Sequence, residues 1–267
     1  MGRLPMPTAD DLGTFDRVTR AKKAQRRTSL ESVRTGVAQA YETYVRVAPH
    51  LDGMMSIPVS LPQRDALLHA YDSPTAAFKR LRANLLDGVV RCPFCDISEA
   101  STLDHYLPKE KFPEFAIFSR NLVPCCSPCN ERKGALTGRP VLHPYFDDAQ
   151  VEQCLALRVR FAAPDLVLTY DVERPRDMGP DEFAVVEAHF ANLDLARRFN
   201  LWALDDLRSI AGVLGATYAI GEDATAVRTE LQSAANYSGR RYWCALLYRQ
   251  LGDLPDFCNG GFSVLKR

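Results

Sequence analysis

Two Cys-x-x-Cys units, Cys92-Pro93-Phe94-Cys95 and Cys126-Ser127-Pro128-Cys129, constrain this chain more than any other feature of its sequence. Two intervening residues let both sulfurs of a unit reach one ion from a tight backbone knuckle, and two such knuckles close a tetrahedral four-sulfur zinc site. The chain must therefore bring residues 92–95 and 126–129 together, and the insert between them has to hold structure of its own. Four protein ligands leave no open position, so the site is structural and clamps the base of whatever the insert builds. The plainer alternative is a set of buried thiols or a thioredoxin-like redox pair. Neither unit follows the strand-then-helix context that a redox motif requires. Of the eight cysteines, Cys125 is out of phase with the knuckle, and Cys154, Cys244 and Cys258 sit in apolar or terminal contexts. These four are read as non-ligands.

The flanks have a different texture. From Asp16 to Ala48 the chain is rich in Arg, Lys, Ala, Glu and Val and reads as one helix; Pro62 to Tyr71 and Ser73-Pro74 through Leu86 read as two more, closed by Asp87-Gly88. The basic run Arg17, Arg20, Lys22, Lys23, Arg26 and Arg27 is read as a solvated helix face in preference to a phosphate-contacting arm. Between Val89 and Leu142, Cys, Pro, Asn and Gly dominate, which marks a compact module. Ala156 to Phe161 and Leu166 to Tyr170 alternate as two strands joined at Ala163-Pro164-Asp165, and from Asp181 onward helices return with breaks near Asn200, Gly221-Glu222-Asp223 and Leu251-Gly252-Asp253. The expected fold is α+β and mostly helical: a helical region over 1–88, the central module over 89–142, and a β-hairpin plus helices over 143–267.

Composition narrows the function classes. With 46% hydrophobic and 25% charged residues the chain is an ordinary globular sequence, neither disordered nor a rod. Lys plus Arg (33) cancels Asp plus Glu (33), so no overall field steers it toward nucleic acid or an anionic membrane, and any polyanion has to be held locally. No apolar run approaches the roughly 18 residues that a membrane span needs, and Met1 to Asp10 lacks the regions of a signal peptide. A cytoplasmic protein is expected, in which cysteines serve better as metal ligands or buried thiols than as disulfides.

Inside the insert stand Thr102-Leu103-Asp104-His105-Tyr106-Leu107-Pro108-Lys109, then Asn121-Leu122-Val123-Pro124 and, after the second knuckle, Asn130-Glu131-Arg132-Lys133-Gly134. Adjacent Asp104 and His105 on a short strand would point to opposite sides, so a carboxylate can grip a cation while an imidazole addresses a water. Asn130, in the first turn of a helix begun by the second knuckle, can offer a carbonyl oxygen to a hard cation such as Mg²⁺. Over residues 92 to 134 the sequence resembles the HNH (His-Asn-His) nucleases, the ββα-metal family, in the zinc-stabilised branch that includes endonuclease VII resolvases and McrA-like enzymes. The resemblance implies a DNA endonuclease with His105 as general base, Asp104 and Asn130 as ligands of a catalytic Mg²⁺ or Mn²⁺, and Asn121 fixing the loop that orients the base. It also implies 5′-phosphate products. The third signature position is Asn130 here rather than His, a variant that the zinc-containing branch also shows.

Lys133 matches a commonly basic position, open to a phosphate contact or to a solvated helix face. His143 is expected to pack the module against the C-terminal region, and His50, His69 and His189 carry no role. Phe112, Phe115 and Phe118, spaced by three, are read as a small buried face rather than as base-step wedges. The helical flanks are expected to select substrate or to dock a regulator; by resemblance, such proteins occur with an ATPase partner in bacterial anti-phage defence. The competing reading is a zinc-clamped nucleic-acid or protein binding module without chemistry.

Overall fold

The computed structural model describes residues 3–162, 165–221, 223–237 and 239–266. It is a mixed α+β protein, largely helical, with two small antiparallel sheets. The chain divides into two compact units, Gly2–Asp148 and Ala149–Arg267.

In the first unit, Asp10 caps helix α1 (Asp11–Ala21) by accepting a hydrogen bond from the Gly13 amide at 2.8 Å. Helix α2 (Ala24–Val47) follows. The single helix read from Asp16 to Ala48 is therefore two, broken at Lys22-Lys23, where Lys22 is extended and Ala24 takes a positive φ of 43°. The cause lies in the Lys22 side chain. It is buried, and its ammonium donates to the carbonyls of Ser73 (2.7 Å) and His69 (3.3 Å) and contacts His69 Nδ1 at 3.2 Å. A buried ammonium needs several acceptors, and the exposed carbonyls at the end of helix α3 (Leu61–Asp72) supply them. Arg20, Lys23, Arg26 and Arg27 remain on the exposed face, whereas Lys22 leaves it. Helix α4 (Ala76–Leu86) stops at Asp87, and Gly88 takes the left-handed turn (φ 73°) that follows.

Helix α2 buries Val33, Val37, Ala40, Tyr41 and Tyr44, a face at spacings of three and four. Against it lie two 3₁₀ turns, Pro113–Phe115 and Ser119–Asn121. Tyr41 stacks on Phe118 at 4.1 Å between ring centroids, and Tyr44 meets Phe115 and Phe118 edge-on at 5.1 and 5.3 Å. Phe115 and Phe118 are thus core, and Phe112 is half-buried beside them. Two buried carboxylates fasten the insert to the flanking segments. Asp11 accepts from the Ser119 amide (2.9 Å), the Ser119 hydroxyl (3.0 Å) and Arg120 (2.6 Å); Glu114 accepts from the Ile57 amide (3.0 Å) and the Ser56 hydroxyl (2.9 Å).

The insert holds strands β1 (Thr102–His105) and β2 (Leu122–Cys125), paired antiparallel with Thr102 opposite Cys125 and His105 opposite Leu122. The short helix α5 (Ser127–Lys133) follows β2 directly, giving a ββα order.

The second unit opens with one helical turn, α6 (Val151–Cys154), and a hairpin of β3 (Leu155–Ala162) and β4 (Asp165–Val172) in register from Leu155 opposite Val172 to Ala162 opposite Asp165. The hairpin is as read; Ala163 and Pro164 of its turn lie outside the described residues. Helices α7 (Pro180–Asn192), α8 (Leu195–Gly221), α9 (Ala224–Asn236), α10 (Tyr242–Gly252) and α11 (Pro255–Cys258) come next, and a 3₁₀ turn spans Gly261–Lys266. The break expected near Asn200 falls instead at Leu193-Asp194, where Asp194 has φ 54°. Helix α8 passes through Asn200 because Leu195, Phe199, Ala203, Leu207, Ala211 and Leu214 form one continuous buried stripe. Among the described residues no helix is long and apolar enough to cross a membrane.

Phe199 is fully buried, stacked on Trp243 at 5.6 Å and edge-on to Tyr170 at 5.5 Å. Phe199→Ala should lower the unfolding free energy by about 3–5 kcal/mol in urea titration. A loss below about 1 kcal/mol would place Phe199 at a frayed helix end and restore the break at Asn200.

Candidate metal centre and the buried site beside it

The first knuckle is shaped by backbone bonds: the Cys92 amide donates to the Ser98 carbonyl (2.8 Å), the Asp96 amide returns to the Cys92 carbonyl (2.8 Å), and Asp96 turns the chain with φ 54°. The Ile97 amide points at Cys95 Sγ at 3.4 Å. In the second knuckle the Cys129 and Asn130 amides both donate to the Cys126 carbonyl at 3.1 Å, which starts α5. The sulfurs of Cys92, Cys95, Cys126 and Cys129 are all buried and lie within 4.8 Å of one another. Cys95 Sγ and Cys126 Sγ are 3.8 Å apart, the edge of a tetrahedron whose centre lies about 2.3 Å from each sulfur. Four thiols packed this closely away from water repel as thiolates unless a cation sits among them. The donor set therefore fits one structural zinc ion. Cys125 is outside the cluster, its sulfur 3.4 Å from the Thr102 hydroxyl, and burial pushes its thiol up to about 12.

Helix α5 is held against β1 by two polar links. Asn130 Nδ2 contacts the Thr102 hydroxyl at 3.4 Å. Lys133 is fully buried, and its ammonium pairs with Asp104 Oδ2 (2.9 Å) and Oδ1 (3.2 Å) and donates to the His105 carbonyl (2.7 Å). Lys133 is thus neither a solvated helix lysine nor a phosphate contact. Its inward direction follows from its place four residues after the ligand Cys129, on the same helix face. Burial raises the Asp104 carboxyl, opposed by the Lys133 charge. Both Asp104 oxygens face the Lys133 ammonium, so a cation bound at Asp104 has to share the carboxylate with Lys133. An oxygen donor on Asp104 and an amide oxygen on Asn130 match the chemistry of Mg²⁺ or Mn²⁺.

His105, half-buried at the end of β1, holds Nε2 2.9 Å from the Ala116 carbonyl. A carbonyl only accepts, so Nε2 carries the hydrogen and Nδ1 keeps the lone pair. Burial lowers the His105 pKa to about 4, opposed by the Ala116 bond, which leaves the ring neutral near pH 7. The ring of Tyr71, from α3, stands 4.4 Å from it.

Asn121 is completely buried and closes the loop after β1. Its Oδ1 accepts from the Leu107 amide (2.8 Å) and its Nδ2 donates to the carbonyls of Leu107 (3.0 Å) and Phe115 (3.4 Å). The Tyr44 hydroxyl donates to the same Oδ1 at 3.2 Å and meets His143 Nε2 at 3.0 Å. His143 Nδ1 accepts from the Tyr145 amide at 3.3 Å, so Nε2 is the protonated nitrogen and the relay runs His143, Tyr44, Asn121. His143 is therefore built into the first unit, against Tyr44 of α2. Tyr44 and Tyr71 were not singled out in the sequence, because an aromatic on a helical flank looks the same whether it packs a core or faces a site.

The chain is 28% identical over 190 residues to protein Ea31 of Escherichia phage lambda, a match covering 64% of each chain. It is 31% identical over 64 residues to the Septu protein PtuB of Bacillus thuringiensis, covering 21% of this chain and 25% of PtuB. The matches span less than two thirds of either relative's length. No protein-family model and no solved structure matches the chain.

Purified protein should carry one zinc per chain by elemental analysis, and Cys95→Ser should lose it together with the protection of the β1–β2 amides; full protection without metal would refute the clamp. Burial pushes His143 down to about 3, with the Lys133 charge adding to the effect. The unfolded chain, titrating near 6.5, then binds more protons than the folded one, so this stability is complete above pH 6.5 and is lost as pH falls toward 3. Relative to wild type, His143→Gln should show a stability curve flatter by about 1.4 kcal/mol per pH unit between roughly pH 6 and 4. Parallel curves would show that His143 does not titrate against folding.

Proposed function

We propose that this chain is a metal-dependent endonuclease that hydrolyses DNA phosphodiesters at the β1–α5 site, with His105 as general base. The observation that carries the reading is the ββα arrangement itself. Strand β1, which carries Asp104 and His105, is linked to α5 through Asn130 to Thr102 and Lys133 to Asp104; α5 carries Cys129 of the buried four-cysteine cluster, and Asn121 is bonded into the intervening loop.

The bond from Nε2 to the Ala116 carbonyl fixes the imidazole in one tautomer and orientation, so Nδ1 takes the proton from the attacking water. The lowered basicity keeps that nitrogen unprotonated in neutral solution. Asn121 holds the backbone of Leu107, two residues beyond the base, and so keeps β1 and the following loop in place. Lys133 fastens the His105 carbonyl. Asp104 and Asn130 are the residues that would hold a divalent cation, whose chemistry would be to offset negative charge on the departing 3′ oxygen. Hydrolysis then leaves a 5′ phosphate.

The sequence resemblance to stand-alone nucleases with helical flanks, together with the similarity to the Septu protein PtuB, supports a role in anti-phage defence alongside an ATPase partner. The cytoplasm is the compartment in which such a protein meets invading DNA.

One observation favours a second reading, a zinc-clamped binding module without chemistry. The Lys133 ammonium already neutralises Asp104, the carboxylate that a catalytic cation needs. A plasmid-nicking assay separates the two. Wild type should nick supercoiled DNA with added Mg²⁺ or Mn²⁺, and His105→Ala should lose about 10²–10⁴-fold in rate while retaining its zinc and helicity. Undiminished nicking by the folded variant would remove His105 from the mechanism, and absence of nicking by wild type with either cation would favour the binding module.

A further inference from the structure

Two cations that neither the zinc cluster nor the base requires gather on Tyr71, the ring that abuts His105. Tyr71 at the end of α3, in edge contact with the imidazole, carries Lys109 Nζ at 4.7 Å and the Arg82 guanidinium carbon at 5.2 Å from its ring centroid. Three segments converge there: α3, α4 and the loop that leaves β1. Arg82 is half-buried and has no carboxylate partner among the described residues. Lys109 is paired with the exposed Asp72. Two cationic heads gathered over one ring, with one exposed carboxylate paired to Lys109, leave an uncompensated positive charge beside the base. The ring restrains both long side chains, so an arriving anion orders them at low cost. A guanidinium and an ammonium together are the donors that recognise a phosphate.

We propose that Tyr71, Arg82 and Lys109 form a clamp for a backbone phosphate of the DNA strand next to the one being cut, with Asp72 holding the place of that phosphate until DNA arrives. This rests on the phosphodiester reading of the His105 site. The clamp gives the N-terminal helices a part in substrate binding, and it supplies locally the positive charge that a chain of 33 basic and 33 acidic residues lacks overall.

The clamp is tested by binding rather than by turnover. Anisotropy of a fluorescein-labelled 20-base-pair DNA duplex is followed with the full-length, zinc-loaded protein from 50 to 300 mM KCl, without added Mg²⁺ or chelator. Loss of one phosphate contact lowers the slope of log affinity against log salt by about 0.9 on duplex DNA. Arg82→Gln and Lys109→Gln should each show that decrease and bind several-fold more weakly at low salt. Asp72→Asn should bind more tightly than wild type, an outcome that a merely structural Asp72–Lys109 pair does not produce. Tyr71→Phe should bind as wild type and Tyr71→Leu should bind more weakly.

Unchanged slopes for both cation variants, or weaker binding by Asp72→Asn, would overturn the clamp, as would wild type that does not bind the duplex at 50 mM KCl. Nicking that depends on His105 with unchanged slopes would leave the hydrolytic reading intact and remove only the clamp. The expected slope changes without nicking would keep the clamp and remove the hydrolysis.

Discussion

Four sulfurs converging on one point carry the geometry of the central site. Strands β1 and β2 are four residues each and α5 is seven, lengths at which neither a two-stranded sheet nor an isolated helix is stable in water. A metal ion on the four sulfurs would tie the chain ahead of β1 to the start of α5, adding coordination bonds to the buried packing of Leu103, Leu122 and Val123. Binding energy of a structural zinc is folding energy, and in this chain it would go to strands and a helix too short to be stable alone.

The surrounding polar network is the second layer of that construction. Lys133 on α5 reaches β1 twice, through the Asp104 carboxylate and the His105 carbonyl, and Asn121 bonds to both backbone groups of Leu107. Both are completely buried, and removing one member of such a set leaves charges or dipoles without partners in a medium that solvates them poorly. The N-terminal helices take part through Tyr44 and Asp11, and the segment joining α2 to α3 through the Ser56–Ile57 contacts to Glu114. They are structural partners of the module, and their polar side chains determine how its loop is held.

Local chemistry was legible in the sequence wherever it was written in spacing. The C-x-x-C pairs gave the cluster, the alternation from Ala156 to Tyr170 gave the hairpin, and Asp87-Gly88 gave the end of α4. Tertiary partners were not legible. Nothing in the run Arg20 to Arg27 shows that Lys22 turns inward to the last carbonyls of α3 and splits the helix, and Asn200 looked like a stop although the apolar stripe of α8 continues through it. Lys133 was ambiguous for the same reason: a lysine four residues after a buried cysteine faces inward only if an acidic partner waits there, and Asp104 lies 29 positions earlier.

X-ray absorption at the zinc edge of the purified protein tests the central claim most directly. The account predicts a first shell of four sulfur scatterers at about 2.3 Å with no nitrogen or oxygen neighbour, the signature of a closed site formed by Cys92, Cys95, Cys126 and Cys129. A shell with nitrogen or oxygen ligands, or with fewer than four sulfurs, would contradict it and detach the β1–α5 arrangement from the clamp said to hold it.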